Sequence, residues 1–149
     1  MNFIVNFLFS MFSTIAFSVI TNIPRRAFLA CGFTGAAGWM TFWILHTYFH
    51  QNIGISNFSG ALMIGLISIF FSRIRHMPVI VFNVPSLVPL VPGGPAYMAV
   101  RHMMNQQFTE SMEAVVTVLV TSGAIAIGFM FTNLIERALK RTRTNFQIK

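Results

Sequence analysis

Four long apolar runs, separated by short polar or basic stretches, set the pattern of this chain. They cover residues 3–22, 27–48, 57–74 and 112–135. About 20 apolar residues in a helix cross the roughly 30 Å hydrocarbon core of a bilayer, so each run predicts a transmembrane helix. A different segment, residues 77–105, lies between the last two runs. It is apolar yet holds five of the six prolines: Pro78, Pro85, Pro89, Pro92 and Pro95. Its first part, MPVIVFNVPSLVPLV, would rise only about 22 Å as a helix, short of a full crossing. PGGP then turns the chain. AYMAVRHMM can be helical again, with Pro95 suited to a first turn.

Polar positions inside the runs add candidate chemistry. Asn6, Ser10, Ser13, Thr14, Ser18 and Thr21 recur at spacings of three and four, on one helix face. That face fits either the lining of a pathway or hydrogen bonding between helices. Ala27, Ala30, Gly32, Gly35, Ala36, Ala37 and Gly38 give the second run a close-packing face, and Ala124 and Gly128 suggest another in the last. Glu113, Thr117 and Thr121 repeat every four residues. An intramembrane carboxylate is usually functional, but an acid near a helix start also suits the helix dipole. His46 and His50 have a metal-pair spacing, yet no Asp, Glu or Cys accompanies them. Trp39, Trp43, Tyr48 and Phe49 around them have the look of an interfacial belt. No metal and no cofactor are expected.

Composition and charge settle the class. Only 9% of residues are charged and 55% are hydrophobic, against about 25% charged in soluble domains. The net charge of +7 sits in clusters between or after the runs, at Arg25–Arg26, Arg73–Arg75 and from Arg137 onward. Such clusters orient a membrane protein and give no nucleic-acid face. The N-terminus and the 49–56 loop have no Lys or Arg. The positive-inside rule then places the N-terminus outside and the C-terminus inside, which requires segment 77–111 to cross. The expectation is an all-α membrane protein of about five transmembrane helices, the fourth broken at Pro92-Gly93-Gly94-Pro95. Residues 1–136 form one transmembrane domain and 137–149 a basic cytoplasmic tail. The N-terminal run lacks the positive region of a secretory signal and is expected to remain. Cys31, the one cysteine, reads as a small packing residue.

Proline removes an amide donor, and Gly93-Gly94 opens conformations that other residues avoid. Irregular backbone at membrane depth survives only inside protein or beside a water-filled cavity, and transporters use such breaks as solute sites. With no Asp, three Glu and four His, mostly near predicted span ends, the chain has no nucleophile–base constellation and is not expected to be an enzyme.

FSVITNIPRRAFLACGFTGAAGWM (17–40), the Gly60/Gly65 span and RIRHMPVIVFNVPSLVPLVPGGPAYMAV (73–100) occur in one order. In these pieces, and most specifically in PLVPGGPAY (89–97), the chain resembles the threonine/serine exporter family, in particular the small subunit of its split, two-protein form. The resemblance covers about residues 15–135. It implies ion-driven export of small carboxylate-bearing solutes across the bacterial inner membrane. Threonine and serine are the substrates of fused members, and a split pair is associated with succinate. It also implies a larger membrane subunit as partner, with a higher oligomer possible. The substrate-binding candidates are Asn83, Ser86, Pro89, Pro92, Gly93, Gly94 and Tyr97. Pathway or gating candidates are Asn6, Ser10, Thr14, Ser18, Asn22, Pro24, Glu113 and Thr117. Two alternatives stay open: a non-transporting subunit that stabilises a larger partner, and a self-sufficient oligomeric channel.

Overall fold

The computed structural model describes residues 3–146, with side chains through Ala138. Beyond Ala138, the side chains of the expected basic tail lie outside the described residues. Six α-helices follow one another: α1 (Phe3–Ile20), α2 (Phe28–Thr47), α3 (Ile53–Arg75), α4 (Ile80–Ser86), α5 (Gly93–Met104) and α6 (Phe108–Phe146). Four stretches are long and apolar enough to cross a membrane: Phe3–Ile20, Arg25–Thr47, Ile53–Arg75 and Phe108–Ala138. Ile80–Leu90 is a shorter apolar helical stretch. Helices α3 and α6 both begin four residues before the apolar runs that predict them. Thr109, Glu110 and Ser111 supply the first turn of α6, and Asn52 caps α3 by accepting from the Gly54 amide at 3.5 Å.

Burial is inverted relative to a water-soluble protein. Thr14, Ser18, Thr34, Ser56, Ser68 and Ser86 are fully buried, while Phe9, Phe12, Ile20, Leu29, Phe70 and Leu119 point outward. In lipid, apolar side chains gain nothing by hiding from a solvent as apolar as themselves. Small and hydroxylated residues therefore take the interior, where they let backbones approach. This is a multi-pass membrane protein.

Close backbone contacts fix how the helices face one another. Thr14 of α1 fills the space beside Gly35 of α2, and Ile15 that beside Gly32. Gly38 of α2 meets Gly60 and Ile64 of α3. Helix α6 meets α3 at Gly54–Val120, Ala61–Gly128 and Gly65–Thr132. Both numbers rise together along that series, so α3 and α6 run parallel. The chain between them must therefore return from one end of the bundle to the other. Val120 lies twelve residues into α6, so about 18 Å of α6 precedes its meeting with the start of α3. Against this leading part lies α5, where the Ser111 hydroxyl donates to the Ala99 carbonyl at 2.8 Å.

The contacts also bring the basic clusters to one end. Phe82, at the start of α4, packs on Ala27, Ala30 and Cys31, with Ile23, Phe71 and Met77 around them. The α1–α2 turn with Arg25 and Arg26 therefore shares an end with Arg73 and Arg75.

Four inter-helix turns place a residue other than glycine in the left-handed region: Asn22 (φ 53), His50 (φ 48), His76 (φ 52) and Gln106 (φ 61). Asn and His tolerate this region better than most residues, and β-branched residues do not. Asn22→Val is expected to lower stability by about 1–2 kcal/mol, while Asn22→Gly is tolerated. Thermal melts of the detergent-solubilised protein check this; equal melting temperatures for Val and Gly would refute it.

Candidate functional site

The interruption begins earlier than the Pro-Gly-Gly-Pro turn. Regular α-helix stops at Ser86, a 3-10 turn spans Val88–Leu90, Val91 is extended, and helix resumes at Gly93. Pro85 and Pro89 explain the stop, because each removes an amide that α-helix needs. The Leu90 amide turns back to the Leu87 carbonyl at 2.9 Å, one residue short of α-helical spacing. Two bonds hold α4 against α2: the Ser86 hydroxyl donates to the Cys31 carbonyl at 3.1 Å, and the Cys31 thiol to the Val81 carbonyl at 3.5 Å. Leu90 then packs between Ala61 and Ile64 of α3 and Ile125 of α6. Ala61 and Ile64 lie near the middle of α3, so the 3-10 turn sits inside the bundle at about half depth.

Beside this turn opens a cleft of about 260 Å³, lined by Asn6, Phe9, Ser10, Ser13, Trp39 and Pro89. Asn6 Oδ1 accepts from Trp39 Nε1 at 3.4 Å. Asn6 Nδ2 is buried with no hydrogen-bond partner, which leaves its amide N–H donors unmatched. An unmatched buried donor costs about 1–3 kcal/mol. The cleft offers a small polar solute this amide, the Ser13 hydroxyl and an aromatic wall. Trp39 escaped the sequence reading, which placed it in an interfacial belt. Its only signal was an indole N–H that needs a partner if buried.

Beyond Ser13 the α1 polar face is packing. Ser10, Thr14 and Ser18 are buried, and their hydroxyls donate to the carbonyls of Asn6, Ser10 and Thr14 at 2.9, 2.8 and 2.8 Å. Bonds to the carbonyl four residues back satisfy a hydroxyl without another helix. Thr14 and Ser18 thus fill the α1–α2 contact, and only the Asn6–Ser13 part of the stripe reaches the cleft.

The other sequence-predicted residues lie apart from it. Asn83 lines a separate cleft with Asn133 and Glu136 of α6. Its Oδ1 is buried without a partner. Ser86 is consumed by its bond to Cys31. Pro92 is half-buried, and no atom would lie within 4 Å of a Cβ on Gly93 or Gly94. Tyr97 is 64% exposed. Asn22 and Pro24 are exposed in the α1–α2 turn at the basic end. Glu113 and Thr117 lie on an outward face of α6, the Thr117 hydroxyl donating to the Glu113 carbonyl at 2.9 Å. His46 stacks on Phe42 with 5.6 Å between ring centroids, and its Nδ1 lies 3.3 Å from the Gln51 carbonyl. Among the described residues no three His, Cys, Asp or Glu side chains gather as a metal site.

A family model described as Threonine/Serine exporter, ThrE, matches residues 6–135. That range takes in the first turn of the polar face, the interrupted segment and most of the membrane part of α6. No solved structure matches the chain.

Proposed function

The chain belongs to the threonine/serine exporter family, and on that premise we propose that it is one subunit of a secondary-active exporter of small carboxylate-bearing solutes. Threonine and serine, or a dicarboxylate such as succinate, are its substrates. It acts with a larger membrane subunit in the bacterial inner membrane and is not an enzyme. Residues 1–136 form the transmembrane domain, oriented N-out and C-in, with a basic cytoplasmic tail from 137. The basic clusters gathered at one end support that orientation through the positive-inside rule.

One observation carries this reading: the chain is interrupted at half depth beside a polar cleft that has an unmatched amide donor. Solute sites in transporters are built this way, from broken helices whose backbone and few side chains face a cavity. The exposure of Gly93, Gly94 and Tyr97 supports a partner. Backbone at the start of α5 has no side-chain cover of its own, and a neighbouring subunit supplies it.

Efflux of labelled threonine and succinate from cells tests the proposal. Cells producing both subunits are expected to export at least one solute well above cells producing either subunit alone. If the larger subunit alone, supplied with stabilising lipid, carries the full flux, this chain is a stabilising subunit and the transport reading fails.

A further inference from the structure

The hairpin of α5 and early α6 carries two matching stripes that the fold leaves unpaired. Helices α1, α2 and α3 have 18, 20 and 23 residues, about 27–35 Å, which already spans the hydrocarbon core. The hairpin rises past the start of α3, so its tip, Asn105-Gln106-Gln107, stands beyond that core. Ala99 and Ser111 are buried where the two helices join. The faces turned away from that join are exposed. On α5 the outward face holds Tyr97, Val100, Arg101 and Met104. On α6 it holds Thr109, Met112, Glu113 and Val116. Each set occupies the first, fourth, fifth and eighth positions of a helical repeat, which is one stripe. A hollow of about 680 Å³ opens along the α6 stripe.

Each stripe sets a single charge among mostly apolar side chains, and the two charges are opposite in sign. Among the described residues neither Arg101 nor Glu113 has a side-chain partner. The stripes lie on opposite faces of one hairpin, so a chain cannot pair them with each other. A neighbouring copy can. Copies in one membrane are related by rotation about its normal, and a contact between unlike faces then leads round to a closed ring. Such a rotation keeps every residue at its own height. The bonds Ala99–Ser111 and His102–Gln107 make α5 and α6 antiparallel and fix the heights. Arg101 is level with residue 109, about 6 Å from the level of Glu113. Side chains lean toward the N-terminus of their own helix. Because the helices are antiparallel, Arg101 leans toward the level of Glu113 and Glu113 toward that of Arg101, so the two converge across the contact. Beyond the hydrocarbon core the apolar parts of both stripes face water, and pairing removes them from it.

We propose that this chain assembles head to tail into a ring, the α5 stripe of one copy packing on the α6 stripe of the next, with Arg101 paired to the neighbour's Glu113. A second copy is the occupant because the chain itself carries both halves of the contact. The inference does not depend on the export reading.

The test is the oligomeric state of the purified full-length chain in mild detergent, read by native mass spectrometry. The wild-type chain is expected as one species of three or more copies, because unlike faces cannot close a pair. Arg101→Glu and Glu113→Arg should each weaken association at least about tenfold, since like charges then meet, and the double reversal should restore it. In membranes, a Val100→Cys chain and a Met112→Cys chain produced together should crosslink to each other, and neither to itself. The proposal is overturned if the wild-type chain is monomeric. It is equally overturned if a single reversal that melts like wild type keeps the full assembly, or if the double reversal does not recover it. Self-crosslinking of the Met112→Cys chain alone would show a two-fold contact and overturn the ring. A ring that depends on Arg101 and Glu113, with no efflux from cells producing both subunits, would uphold this contact and refute the export reading.

Discussion

Gly38→Leu leaves little or no folded protein. A Cβ at residue 38 would overlap the Ile64 side chain and come within 3.2 Å of the Gly60 carbonyl. The reverse contact is equally tight, with a Cβ on Gly60 lying 3.0 Å from the Gly38 carbonyl. Backbone also faces backbone at this crossing, so rotating Ile64 away still leaves the tight approach to the Gly60 carbonyl, and the rest of a leucine has no room. Even Gly60→Ala is expected to cost about 1–3 kcal/mol, the usual range for overpacking, and leucine considerably more. Gly123→Ala is the control, because no atom lies within 4 Å of its would-be Cβ. Size-exclusion profiles and melts of the solubilised variants decide the matter. A monodisperse Gly38→Leu protein with the wild-type melting temperature would show that α2 and α3 do not meet as described.

Asn6→Leu separates stability from activity. The Asn6 amide donor is buried without a partner, so an apolar side chain of similar size removes a cost of about 1–3 kcal/mol, while the Trp39 indole N–H loses its acceptor at a comparable cost. The two offset, and the variant is expected to melt close to wild type. Threonine or succinate efflux from cells with both subunits is expected to fall at least about tenfold, as when a charge-assisted bond to solute is lost. Asn6→Gln retains an amide and is expected to recover part of the flux. Unchanged efflux from Asn6→Leu would remove Asn6, and with it the cleft at Pro89, from the transport path. The two variants together distinguish a residue that holds the bundle from one that the bundle holds in place for a solute. Natural proteins accept such local costs where function needs them.

The membrane helices were readable because hydropathy and length report burial in lipid directly. Basic clusters were readable for the same reason, being excluded from the spans they flank. The return crossing between α3 and α6 followed from charge alone, and the parallel packing of Gly54–Val120 through Gly65–Thr132 supplies its geometry. The clefts were harder to see. Periodicity placed Asn6 through Ser18 on one face, but the same spacing serves packing and pathway alike. Only the partner helix decides between them, with Gly35 receiving Thr14 and Trp39 leaving room beside Asn6. Local reading tied Asn83 to the proline segment and overlooked Glu136, which is 53 positions later in the chain. Their juxtaposition comes from α4 facing the far half of α6 across a cleft, and no spacing within either segment encodes it.

The leading part of α6 also divides the molecule into an interlocked frame and a lightly attached arm. Helices α1, α2 and α3 are interlocked by side chains seated against glycine backbone, so none can slide without unseating another. Helix α5 rests chiefly on the opening turns of α6, joined by the Ser111–Ala99 bond and ringed by exposed side chains. Elements with few buried neighbours open at a lower free energy than the core that carries them. On the proposed transport reading, the hairpin of α5 and early α6 is the low-cost displacement. The interlocked trio would then supply the fixed frame against which Pro89, at the root of that arm, shifts relative to Asn6.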